Sequence, residues 1–256
     1  MIIGVTSLAG EIYVLRWKEC GEIEVYDVTT CQFQHQLVVP EANRLTDMTS
    51  CEHNRCTYIS DYNLQAVHRI DVRGAATRWD VKDPPWSLSV NSAHNVLVTC
   101  PPVRKIKEFR SDGEPVREVL LPADVMDPSH AVQLNTGQFV VCHGRDDASV
   151  RRVCLVSEDG RQTVRSFDGK PDTVPRRLAV DSHGFVFVAD IGNNPRVALL
   201  NPELELVRDV VTIGPNQLNG QPRRLCVDLQ RRLLYVADVV FENGAFTAGR
   251  VVVFRI

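Results

Sequence analysis

Short apolar runs alternate with turn residues along the whole chain, and no run sustains a helical period. The clearest stretch is residues 174–200, VPRRLAVDSHGFVFVADIGNNPRVALL, where Leu178, Val180, Phe185, Phe187 and Val197 fall at strand spacing. Asp181-Ser182-His183-Gly184 predicts a tight turn there, and Gly192-Asn193-Asn194-Pro195 a wider one. Residues 221–254 repeat the unit as QPRRLCVDLQRRLLYVAD followed by GRVVVF. The second strand of each unit ends at Arg16, Asp61, Cys100, His143, Asp190 and Asp238. Six units thus recur at a period of roughly 40–50 residues, which is the spacing of four-stranded propeller blades. Ser111-Asp112-Gly113 and Glu158-Asp159-Gly160 occupy the same place in their units, between the third and fourth strands. Asp-Gly there supplies the positive φ of a hairpin turn.

These units predict an all-β protein, a six-bladed β-propeller of four-stranded antiparallel blades. The blades run at about 1–40, 41–83, 84–122, 123–169, 170–214 and 215–256. One small sheet cannot bury both its faces, so the six units form a single domain around an axis. The sixth unit yields only three strands, at 225–227, 233–237 and 251–255, so the last blade lacks its outer strand. The apolar edge at 251–256 is then open to strand addition, or marks the chain as a fragment of a larger protein.

Composition narrows the class. The 256 residues are 44% hydrophobic with a net charge of −3, which is not the bulk signature of a nucleic-acid binder. No apolar run reaches membrane-spanning length, and the first residues lack the basic region of a secretory signal. The eight cysteines form no paired C-x-x-C units, and several lie inside apolar strand runs. They read as buried free thiols in a reducing compartment, the cytoplasm. Cys51-Glu52-His53-Asn54-Arg55-Cys56 holds zinc-ligand types but offers no fourth ligand nearby, so it reads better as a hairpin tip whose two cysteines can cross-link under oxidation.

At residues 175–197 the pattern P-x-x-L-A-V-D-x-x-G-x-V-F-V-A-D-x-x-N-N-x-R-V resembles the NHL repeat. The sixth unit follows it well through PRRLCVD, LLYVAD and GRVVVF. The second follows it in part through TYISDYN and AVHRIDVRG, and the others only in strand rhythm. The resemblance implies a six-bladed propeller similar to the C-terminal module of tripartite-motif ubiquitin ligases, which binds protein substrates or RNA. Those proteins' zinc-binding parts have no counterpart here, so no ligase chemistry carries over.

Asp61, Asp190 and Asp238 recur at one position of the repeat. Arg16, Cys100 and His143 interrupt them, so the carboxylates read as acceptors for N–H groups of the loop after the strand rather than as a metal ring. The loops leading into each first strand carry Asn43-Arg44, Trp86-Ser87, Ser129-His130, Arg176-Arg177 and Arg223-Arg224. A propeller gathers such loops at one mouth of its channel. Arg44, Trp86, His130, Arg176, Arg177, Arg223 and Arg224 are therefore the candidate ligand-binding rim. Guanidinium groups take carboxylate or phosphate in a fork, and an aromatic ring offers a stacking face. Residues 239–249, with Phe241 and Phe246, are expected to form a loop over this rim, while Trp17 and Tyr62 reach it but favour packing between blades.

Two function classes follow. The first is a non-catalytic platform for a protein, a peptide or an RNA, with no cofactor. The second is a metal-dependent propeller enzyme, a lactonase or a lyase, which needs carboxylates or imidazoles converging on an ion. The arginines favour the platform. On this reading Arg177→Glu with Arg224→Glu abolishes binding with little loss of folding.

Overall fold

The computed structural model describes residues 1–17, 21–144, 151–167, 169, 172–215 and 217–256. Cys20 and the blade boundary at Lys170 lie outside the described residues. Six antiparallel sheets follow one another in chain order, five with four strands and the sixth with three. Their first strands touch in cyclic order, and Ile2–Leu8 of blade one meets Gln221–Asp228 of blade six, which closes the ring.

The core is divided among the gaps between blades. Six apolar clusters each span two neighbouring blades. The closing gap packs Ile2, Val5, Ile12 and Val14 against Tyr235 and Ala237. Second strands lie in the middle of these layers. Every residue of Cys56–Asp61, Val96–Cys100, Phe139–His143 and Val186–Asp190 is buried, which explains their near-continuous apolar runs. Fourth strands face solvent, and Phe33–Val38 contains no buried residue.

Gly4 sets how closely blades one and two approach. A Cβ there would stand 2.7 Å from the Met48 Cβ and 3.2 Å from the Leu15 Cβ. Gly4→Val is therefore expected to cost about 1–3 kcal/mol by overpacking. Urea unfolding should show the loss, and an unchanged midpoint would mean that the gap is looser than this geometry.

Blade six departs from expectation at residues 239–249. Instead of a loop, Leu233–Glu242 and Ala245–Arg255 pair continuously from Leu233↔Arg255 out to Glu242↔Ala245. Asn243 (φ 52°) and Gly244 (φ 77°) close this long hairpin, with positive φ at both central residues as a type I′ turn requires. Phe241 and Phe246 meet edge-to-face across it, their centroids 6.3 Å apart. Among the described residues, no strand covers the outer edge of Ala245–Arg255.

Candidate functional site

A repeated bulge builds the site. In blades one, two, five and six the pairing of first and second strands slips by one residue, between Ile2 and Gly4, Leu45 and Asp47, Pro175 and Arg177, and Pro222 and Arg224. An extra residue here bends the strand and re-aims the side chains beside it. Beyond the slip, Gly4 pairs with Leu15, Asp47 with Ser60, Arg177 with Ala189 and Arg224 with Ala237. The same register places Ser87 opposite Thr99 and His130 opposite Cys142. Gly4, Asp47, Ser87, His130, Arg177 and Arg224 thus form one ring of equivalent positions around the channel waist, one from each blade.

The waist is buried and charged. Asp47 Oδ1 lies 3.0 Å from Arg224 Nε as an ion pair, and Oδ2 accepts from the Leu88 N–H at 3.1 Å. Arg177 Nε stands 3.8 Å from Asp47 Oδ2, beyond hydrogen-bond reach. Arg177 is 4% exposed, and its Nη1 donates to the Ser129 and Arg176 carbonyls. Arg224 donates to the carbonyls of Ile3, Arg223 and Thr46. Burial, reinforced by Arg224, pulls the Arg177 pKa down to about 9, and burial lowers that of Arg224 as well. Both guanidiniums remain charged at neutral pH.

His130 accepts the Leu178 N–H at Nδ1, 3.2 Å away, and its Nε2 lies 3.1 Å from the Leu88 carbonyl oxygen. These two partners select the neutral tautomer with the proton on Nε2. Burial first, then Arg177, pulls its pKa down to about 4.

Above the waist, Trp17, Arg44, Trp86, Arg176, Arg177, Arg223 and Arg224 line a cavity of about 290 Å³. No carboxylate is among its described lining residues. Arg44 lies over the Tyr62 ring at 4.9 Å, and Tyr62 meets Trp86 edge-to-face at 6.1 Å. Arg223 lies over the Phe241 ring at 4.8 Å, so the long hairpin borders the same mouth. On the other side of the waist is a cavity of about 410 Å³, which shares Arg177 and Arg224 and adds Asp47, His130, Thr6, Ser50 and Cys226.

This geometry redistributes the candidate residues. Arg44, Trp86, Arg176 and Arg223 stand at the mouth. Arg177, which is buried, and Arg224, which is partly buried, lie deeper and hold the waist together, so replacing both with glutamate would disrupt the waist rather than spare the fold. His130 lines the far cavity instead of the mouth. Trp17, expected between blades, is 61% exposed at the mouth. Asp47 was not among the candidates. The lead-in expected for blade two, Asn43-Arg44, ends three residues before Asp47, which lies just past the bulge and pairs with Ser60, the residue before Asp61.

No family profile matches the chain, and no curated protein sequence is significantly similar to it. Solved structures are similar in shape. A protein of unknown function from Bacteroides caccae matches at 12% identity over 88% of this chain and 85% of its own, with a TM-score of 0.64. Hydrazine synthase from Kuenenia stuttgartiensis matches at 12% identity over 100% of this chain and 95% of its own, with a TM-score of 0.67. Virginiamycin B lyase from Staphylococcus aureus matches at 12% identity over 100% of this chain and 84% of its own, with a TM-score of 0.66. The fold is that of a six-bladed β-propeller. At these identities the likeness concerns the fold alone.

The repeated aspartates act as buckles. Asp61 accepts the N–H groups of Asn43, Arg44 and Leu64, with His68 Nε2 3.5 Å away. Asp190 accepts those of Val174 and Gly192 and pairs with Arg196, while Asp238 accepts those of Asn219 and Gly220 and pairs with Arg250. Each ties the lead-in loop of its own blade, and so holds the mouth in shape. Cys51 and Cys56 face each other across the hairpin as free thiols, and Cys51 Sγ lies 3.9 Å from His94 Nδ1. Among the described residues no three His, Cys, Asp or Glu side chains are placed to hold one metal ion.

A pH dependence follows. His130 is held neutral when folded, with a pKa of about 4 against an ordinary 6.5. Its contribution is whole above about pH 6.5 and is lost as pH falls toward 4, about 3 kcal/mol in all. Burial raises the Asp61 pKa, but His68 and the loop N–H groups outweigh it and hold the carboxyl down to about 2. Its contribution, about 2 kcal/mol, is lost only below pH 3.8. Burial also lowers the His143 pKa, so both histidines weaken the fold as pH falls below 6.5. Urea unfolding from pH 7 to pH 4 should therefore show a decline that His130→Gln reduces; an equal decline in the variant would assign it to other groups.

Proposed function

We propose that this protein is a non-catalytic binding platform that takes an acidic protein or peptide at the arginine-lined mouth of its channel. The observation carrying this reading is the wall of the mouth: five arginines and two tryptophans, with no carboxylate among the described lining residues. Arginine and tryptophan are the side chains that most often dominate binding energy at protein interfaces. A small concave cup suits an inserted acidic side chain, whereas a single-stranded RNA needs a basic track with successive stacking faces. The NHL-like pattern of blades five and six supports a recognition module, such as the substrate-binding part of a ubiquitin-ligase-like protein. Cys100 and Cys154, whose thiols burial pushes up to about 12, suit a reducing cytoplasmic setting.

The metal-dependent lactonase or lyase reading draws less support, because the mouth presents cations where such a site needs converging metal ligands. The test is a titration with a hexaglutamate peptide, followed by tryptophan emission. Trp17 and Trp86 line the mouth while Trp79 packs between Tyr58 and Phe109, so Trp79→Phe should keep the signal. Binding that weakens as salt rises is expected. No emission change with the peptide, together with tight binding of oligouridine, would replace this reading with an RNA-binding one.

A further inference from the structure

The waist ring carries an unbalanced charge in a place that water reaches poorly. Arg177 and Arg224 contribute two positive charges. Asp47 contributes one negative charge, Ser87 and Gly4 none, and His130 is neutral. The surplus within the ring is one positive charge.

The donors are unbalanced too. Arg177 uses only Nη1 in hydrogen bonds. Its Nε is buried without a hydrogen-bond partner, and its Nη2 makes no hydrogen bond to any described residue. Nε–H and Nη2–H point the same way along one edge of the guanidinium, the edge that grips two oxygens of one planar oxyanion. In the same ring the Ser87 hydroxyl is also buried without a partner. Asp47 Oδ2, 3.8 Å from Nε, attracts this charge without accepting its hydrogen bond, and a buried donor left idle is costly.

We propose that the Nε–Nη2 edge of Arg177, backed by Arg224, binds one monoanionic carboxylate at the channel waist, admitted through the arginine-lined mouth. A carboxylate balances the single surplus charge and matches the two parallel donors. A phosphate dianion would overbalance the ring, and a halide would leave one donor idle. The mouth is the route because its described walls lack carboxylates, whereas Glu52 and Asp228 guard the far cavity. The platform reading bears only on where the carboxylate comes from: a free small molecule, or the side chain of a docked partner.

The probe is acetate with the purified protein alone, titrated at constant ionic strength against chloride and phosphate. Line broadening of ¹³C-labelled acetate and thermal melting are the readouts. Acetate should broaden and should raise the melting temperature above that in matched chloride. Arg177→Lys keeps the charge but removes the fork, and should weaken acetate binding at least tenfold. If that variant does not fold, the wild-type comparison of acetate with chloride and phosphate decides alone. Competition by the blocked peptide Ac-Gly-Gly-Glu-NH2 would identify a partner side chain as one source, and acetate binding without such competition would identify a free small carboxylate; both support the site. Equal effects of acetate and chloride, tighter binding of phosphate than of acetate, or undiminished binding in Arg177→Lys would each overturn it. Failure here would leave the hexaglutamate result standing, because that peptide can bind the outer arginines without reaching the waist.

Discussion

Asp47→Asn is expected to destabilise the protein by about 3–5 kcal/mol, the usual cost of removing one partner from a buried ion pair. Asp47 is 3% exposed and is the carboxylate shared by both waist arginines. The amide keeps the shape of the side chain and one carbonyl oxygen for the Leu88 N–H, so packing is nearly conserved. What is lost is the charge, which leaves two guanidiniums on the neighbouring blades five and six without their shared counter-charge. Arg177→Met in the Asp47→Asn background should recover part of the loss, because it removes one of the stranded cations. Urea unfolding of wild type, both single variants and the double variant gives the coupling between the two residues. A loss below about 1 kcal/mol for Asp47→Asn would mean that solvent screens the waist as it screens a surface pair.

The second large effect concerns the mouth. Arg44→Glu, Arg176→Glu and Arg223→Glu together reverse three charges around one small cavity. Binding of hexaglutamate should fall at least a hundredfold, about 2.7 kcal/mol. Stability should change far less than in Asp47→Asn. Arg44 is exposed, and Arg176 and Arg223 are only partly buried. The structural losses include the contacts of Arg223 over Phe241 and of Arg44 over Tyr62, each worth about 0.5–1 kcal/mol, and the Arg223 hydrogen bond to Gln221. If the triple variant binds hexaglutamate as wild type does while remaining folded, the arginines are surface charges without a shared ligand.

The fold was readable because the repeat expresses its physics in local signals. Buried second strands appear as apolar runs, and Asp112-Gly113 and Asp159-Gly160 fix hairpins that fold the same way in any context. The roles of Asp61, Asp190 and Asp238 were readable for the same reason: their partners are loop N–H groups close in sequence, although most lie before the first strand rather than after the second. Asn243-Gly244 is an equally strong hairpin signal, inside the stretch 239–249 expected to form a loop over the rim.

The waist was only partly readable. Whether an arginine faces the rim or the axis depends on a one-residue bulge, and Arg176 and Arg177 are adjacent and chemically identical. Only the pairing register separates them. Asp47 escaped because blade two carries Thr46-Asp47 where blades five and six carry Arg-Arg, so matching by residue type skips the one carboxylate on which the two waist arginines rely. Trp17 reaches the rim as expected, at the end of the second strand of blade one, but stays exposed there instead of packing between blades, the commoner fate of an aromatic residue.

The central claim is that the mouth recognises an acidic protein or peptide. Its most direct test is capture from native extract, with nuclease treatment, by the wild-type protein and by the Arg44→Glu, Arg176→Glu, Arg223→Glu variant side by side. The expected result is a set of proteins that survives nuclease, elutes with salt and is missing from the variant. An identical set on both baits, or one that disappears with nuclease, would contradict the claim.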